Sequence, residues 1–345
     1  MTIEHAVDAI KAEDPARLER LLTEHPGLAK EQTERGCSLL LTIVDWPGGN
    51  AKSLELTKLL LDAGADPNAR FKSDGESVLH WAASNSFDHT LMSLLVENGA
   101  DVDILGAVTA GGTPLDNAVH FGKTQAAKAL VDCGASVYNL RTAAGLGRVD
   151  LLKSWYRENG RFSSLAARND PNSSADEHTL GQRESTNVGH AALSAAVFCL
   201  EFDAADWLLD HGVNTNVIPE GCDSTLLAQI AYRGSLPMAM YLVARGADLD
   251  IPSPVYHSTP FQYGFVHGHP DIMNFLIDQG SKLDLKAAAQ CGRLDLVMKW
   301  WDQCEDPAQL LKETEGDKTA VGKPIHPELL KARAAVAKFI RLKMD

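Results

Sequence analysis

No two cysteines in this sequence stand at CxxC spacing; the six are scattered at Cys37, Cys133, Cys199, Cys222, Cys291 and Cys304. That spacing excludes zinc ribbons and thioredoxin-like redox motifs, and a chain of 345 residues needs no disulfide staples, so the six read as reduced thiols. Positive charge is also scarce. Lys and Arg total 32 against 46 Asp and Glu, a formal net charge of −14, which repels phosphate backbones and anionic lipid surfaces and argues against nucleic-acid or membrane partners. No apolar run approaches the length of about 18 residues that a membrane span requires. Residues 1–10, MTIEHAVDAI, carry neither the basic nor the apolar stretch of a secretion signal. These absences lead to the expectation of a soluble, cytoplasmic protein.

Catalytic signatures are missing as well. The chain has no GxSxG, P-loop, HExxH or calcium loop, and no GxGxxG opening a helix, so no cofactor is expected. Hydrophobic residues at 45% and charged residues at 23% are ordinary for a globular chain, which excludes wholesale disorder.

What is present is repetition. Residues 59–68 read LLLDAGADPN, 94–103 LLVENGADVD, 130–137 LVDCGASV and 241–250 YLVARGADLD. Paired leucines bury one helix face, Gly64, Gly99, Gly134 and Gly246 suit a left-handed cap, and the Asp that follows three of them suits a turn. Each end precedes a new beginning, such as 75–83 GESVLHWAA and 112–119 GTPLDNAV, where Ser or Thr caps a helix and Pro114 opens one. A longer period overlies this one. Residues 141–156, RTAAGLGRVDLLKSWY, return as 286–301, KAAAQCGRLDLVMKWW, and Thr113-Pro114 returns as Thr259-Pro260.

These motifs resemble the ankyrin-repeat family, whose unit of about 33 residues has a TPLHxA start and a GADVN-like turn. The resemblance covers nearly the whole chain and implies an all-α solenoid of about nine units with a duplicated four-repeat block. The units fall near 2–32, 33–70, 71–105, 106–137, 138–165, 188–218, 219–251, 252–283 and 284–312. This gives an N-terminal block over 1–165, a polar linker or insertion over 166–187 and a C-terminal block over 188–345. Leu329, Leu330, Val336, Phe339 and Ile340 recur at helical spacing, with Lys331, Arg333, Lys338 and Arg341 mostly opposite them, which predicts a capping helix.

Function then depends on the groove. The family implies that it is lined by residues just before the turn between paired helices and just before each TPLH start. Carried onto this chain, the binding candidates are Trp46, Asn85, His120, Phe121, His190, Phe198, Tyr232, Arg233 and His267. Aromatic and arginine anchors suit a protein or peptide partner. A small-molecule or acid–base pocket is the alternative, with Asp45, Glu76 and His120 as catalytic candidates where insertions at 46–50 and 106–112 narrow the groove. His80 stands at the TPLH histidine, which the family uses to hold the turn. His267 and His269 spell HGH, but Gly268-His269-Pro270-Asp271 matches the family's GHxD turn, so no metal site is expected. The sequence carries no signal for oligomeric state.

Overall fold

The computed structural model describes residues 2–45, 51–85, 89–107, 111–172, 177–219, 222–315 and 325–344. Among these the chain is helical, with isolated bridges such as Gln32–Ser38 and Arg70–Ser77 but no strand. It divides into two compact units, residues 1–213 and 214–345.

In the first unit successive helices pair: α1 (Thr2–Lys11) with α2 (Pro15–Glu24), α3 (Leu39–Val44) with α4 (Ser53–Asp62), and α5 (Val78–Ser84) with α6 (His89–Glu97). The series continues with α7 (Pro114–His120) and α8 (Thr124–Asp132), α9 (Leu140–Gly145) and α10 (Val149–Trp155), and α11 (Gln182–Phe198) and α12 (Phe202–Asp210). First helices pack on first helices and second on second, giving two layers. Small residues permit this. Ala82, Ala83, Ala118, Ala126 and Ala127 are fully buried between leucines, so neighbouring helices approach without voids. Gly145 marks a close approach, because a Cβ there would stand 2.7 Å from the Val119 side chain.

The helix starts explain the recurring TPLH pattern. Ser77 and His80 form a reciprocal capping box, as do Thr113 with Asp116 and Thr259 with Gln262. His80 acts as the family implies: its Nδ1 accepts the Ser77 backbone N–H (3.1 Å), and its Nε2–H donates to the carbonyl of Gly112 (3.1 Å). The turns form a second ladder. Asp66 and Asp101 each accept the N–H two residues on, closing an Asx turn. Asn68 then bridges to the next turn, donating to the Gly99 carbonyl (2.8 Å) and accepting from the Asp101 N–H (2.8 Å). Asp103 likewise accepts from the N–H and hydroxyl of Ser136.

The polar stretch read as a linker is folded where it is described. Within it Ala166 and Leu180 are buried, Thr179 pairs with Ser163 of the preceding block, and Ser185 Oγ accepts the Phe162 N–H (3.1 Å). Helix α11 starts at Gln182, ahead of the expected unit start at 188, and packs on α9 and α7. A few apolar anchors dispersed among polar residues are enough to fold this segment. The division into compact units falls at Val213.

The second unit pairs α13 (Leu226–Arg233) with α14 (Leu236–Ala244), α15 (Pro260–His267) with α16 (Pro270–Asp278) and α17 (Leu285–Gln290) with α18 (Leu294–Lys299). It repeats the turn ladder through Asn216, which donates to the Gly246 carbonyl (3.0 Å) and accepts from the Asp248 N–H (2.7 Å). The duplication is visible in single contacts. Asn139 caps α9 as Asp284 caps α17, and the two-point pair Arg148–Asp150 returns as Arg293–Asp295. Helices α19 (Pro307–Thr314) and α20 (Pro327–Met344) close this unit over Ala288, Ala289 and Val297, with Trp301 edge-on to Phe339 at 5.3 Å. One feature departs from the sequence pattern: Arg333, placed by periodicity with the solvent-facing cations, is buried.

Candidate functional site

In the first unit the candidates sit where the first helix of each pair ends. Asp45, the C-cap of α3, is exposed. Asn85 caps α5, and its Nδ2 donates to the Val44 carbonyl (2.6 Å), which fastens one helix end to the next. His120 and Phe121 close α7 half-exposed, ring edge to ring face at 4.9 Å. Trp46 lies outside the described residues.

Two candidates lie elsewhere than the resemblance implies. Phe198 is only 5% exposed, because the C-terminal end of α11 rests on Gly122, where a Cβ would stand 2.6 Å from the Phe198 carbonyl. His190, one helix turn from Ser194, is also buried and its Nε2 has no hydrogen-bond partner. Burial pushes its imidazole down to about 4, as it does for His80. Neither Phe198 nor His190 is an accessible contact.

Of the acid–base candidates, Glu76 is buried and its Oε1 accepts from Asn117 Nδ2 at 2.5 Å. The same Asn117 amide reaches Ser84 Oγ (3.3 Å), and His120 follows three residues along α7. A carboxylate held in this way stitches α5 to α7. A cavity of about 590 Å³ in this unit is lined by other residues, including Lys30, Ser38, Asp66, Asn68 and Arg70.

The most connected polar group of the first unit is one that sequence reasoning passed over. Asp116 takes the TPLH histidine's place and is fully buried. Its Oδ1 accepts from Arg141 Nη2 (2.6 Å) and Asn139 Nδ2 (3.1 Å), and its Oδ2 from the Thr113 N–H (2.9 Å) and the Tyr138 hydroxyl. Burial alone would raise this carboxyl, but Arg141 and Tyr138 outweigh it and hold it below the ordinary carboxylate range. The departure from histidine lies within the local pattern, whereas three of its four partners, Tyr138, Asn139 and Arg141, come from the following unit.

In the second unit Tyr232 and Arg233 end α13, both exposed, and the Tyr232 ring lies 4.1 Å from that of His267 at the end of α15. His269 Nε2 bonds the Tyr232 carbonyl (3.1 Å), and its imidazole packs over Gly234, where a Cβ would stand 2.4 Å away. The two histidines of HGH thus have separate duties. A tight turn adds a feature the sequence reading missed: buried Ser253 accepts the N–H groups of Val255 (3.2 Å) and Tyr256 (3.1 Å) and leaves both side chains in solvent.

Comparison with known proteins agrees with this architecture. Residues 49–141 and 193–287 match the family model for ankyrin repeats (3 copies), together just over half of the chain. The chain is 29% identical over 168 residues to ankyrin repeat and SAM domain-containing protein 6 of Rattus norvegicus, covering 48% of this chain and 18% of the relative. It is 29% identical over 151 residues to the Mus musculus protein of the same name, covering 44% of this chain and 16% of the relative. It thus spans less than a fifth of the length of either relative. With that match over more than half of it, the chain belongs to the ankyrin-repeat family.

Proposed function

We propose that this chain recognises a protein or peptide through the ends of its first-layer helices, with Tyr232, Arg233 and His267 as the anchor of the second unit. Ankyrin repeats are generally protein–protein interaction modules. The observation that carries the assignment to these residues is the Tyr232–His267 pair: the tyrosine is 53% exposed, yet its ring is fixed against a second ring on a neighbouring helix. A rigid, exposed aromatic loses little entropy on docking and supplies contact area at once. His120 and Phe121 offer a second such pair in the first unit. Net charge of −14 favours long-range attraction to a partner of opposite sign and disfavours nucleic acid. Among the described residues no helix is long and apolar enough to cross a membrane, and the reading places the protein in the cytoplasm. The acid–base alternative draws no support from Glu76, whose buried carboxylate already serves Asn117.

The test is selection of displayed random peptides against the full chain, followed by measurement of the winners on Tyr232→Ala and Arg233→Ala. Binding should weaken by tenfold or more, because anchor residues typically contribute about 2 kcal/mol. Winners that hold equally well to both variants would reject the assignment.

A further inference from the structure

The turn ahead of α15 holds two large apolar side chains out in solvent. Val255 and Tyr256 are 55% and 63% exposed, and Pro252 and Pro254 beside them fix the backbone with their rings. Ser253 closes the turn from inside. Its Oγ accepts the N–H groups of Val255 and Tyr256, its own N–H donates to the Ser258 carbonyl (2.9 Å), and its carbonyl accepts the His257 N–H (2.9 Å). His257 takes the left-handed conformation, φ 54°, which carries a steric cost for a residue with a β-carbon. Adjacent exposed apolar residues and local backbone strain concentrate at interaction sites.

Helix α15 joins this turn to the Tyr232 anchor. Its sequence, PFQYGFVH, contains no Asp, Glu, Lys or Arg. Tyr263, Val266 and His267 are half-exposed, at the i, i+3 and i+4 spacing of one helix face. The helix has 8 residues and is therefore about 12 Å long. An extended chain, at about 3.3 Å per residue, crosses that length in roughly four residues. Helix α13, packed on α15, adds charge of opposite sign at its two ends: exposed Asp223 lies just ahead of its cap Thr225, and Arg233 is its last residue.

We propose that the partner docks as an extended, uncharged stretch along α15, with one apolar side chain against Val255 and Tyr256 and a second, about four residues away, against Tyr232. A basic residue outside the first faces Asp223 and an acidic residue outside the second faces Arg233, so the charges fix the direction of the segment. This inference rests on the peptide-binding reading of Tyr232 and adds to it the spacing, charge pattern and direction of the ligand.

The experiment selects displayed random peptides against the full chain and measures the tightest one, by fluorescence anisotropy, on the wild type, Tyr256→Ser, Tyr232→Ala and Asp223→Lys. Only the backbone of Tyr256 enters the turn's hydrogen bonds, so Tyr256→Ser keeps the fold. Both tyrosine variants should weaken binding by about tenfold or more. Asp223→Lys should weaken it as well, and replacing the peptide's basic residue with glutamate should restore it. Wild-type binding by Tyr256→Ser with loss in Tyr232→Ala overturns this inference and leaves the Tyr232 anchor standing. Wild-type binding by Tyr232→Ala, or a library that yields no binder, rejects that anchor and this inference with it. Wild-type binding by Asp223→Lys overturns the assigned direction.

Discussion

Acidification should loosen the first unit through two buried histidines, and His190 isolates the effect. An unperturbed imidazole titrates near 6.5, while burial holds His190 and His80 at about 4. Above pH 6.5 each is neutral both folded and unfolded and adds no pH dependence. As pH falls below 6.5 the unfolded chain takes up protons that the folded chain refuses, so stability declines until about pH 4, where the folded side chains protonate as well. A difference of roughly 2.5 units corresponds to a full loss of about 3 kcal/mol per histidine, of which about 2 kcal/mol is lost by pH 5. His190→Leu removes the titration together with the partnerless Nε2. Urea unfolding of the wild type and of His190→Leu, each at pH 7 and pH 5, measures the difference directly. The variant should be about as stable as the wild type at pH 7 and should lose about 2 kcal/mol less on going to pH 5. Equal losses in the two proteins would refute the burial argument.

Further outcomes follow from other contacts. His80→Gln should keep its capping box, since Gln262 fills the same role at Thr259, and should also flatten the acid response in urea unfolding. Arg141→Met strands the Asp116 carboxylate in the core and should cost about 3 kcal/mol by chemical denaturation, against nearly nothing for Arg148→Met, whose partner Asp150 is exposed. Gly122→Ala must adopt φ 68° and meet the Phe198 carbonyl, so a loss of at least about 1–2 kcal/mol is expected in the same assay.

The fold was legible because its determinants are local. A capped helix start, a leucine-rich second helix and a glycine turn each declare themselves within a few residues, and repetition turns a weak signal into a firm one. The duplication was equally readable, down to the Arg148–Asp150 pair that returns at Arg293–Asp295. The site was less so. Phase within the unit placed Tyr232 and Arg233 at an exposed helix end, but it could not foresee that α11 rests on Gly122 and seals Phe198. Arg333 misled in the same way: helical periodicity assigns a face, whereas which face is covered depends on where α19 and α17 cross it. Asp116 was passed over although it departs from TPLH, because Tyr138 and Arg141, which hold it, lie 22 to 25 positions downstream, beyond any local pattern.

Where a ligand sits on the second unit can be read by hydroxyl-radical footprinting of the full chain with a selected peptide at saturation. Tyr232, on α13, and Met240, on α14, are almost equally exposed at 53% and 50%, so their oxidation rates compare the two helix layers within one molecule. Slower oxidation of Tyr232 and His267 with Met240 unchanged is the predicted result; protection of Met240 with Tyr232 left fully reactive would contradict the account.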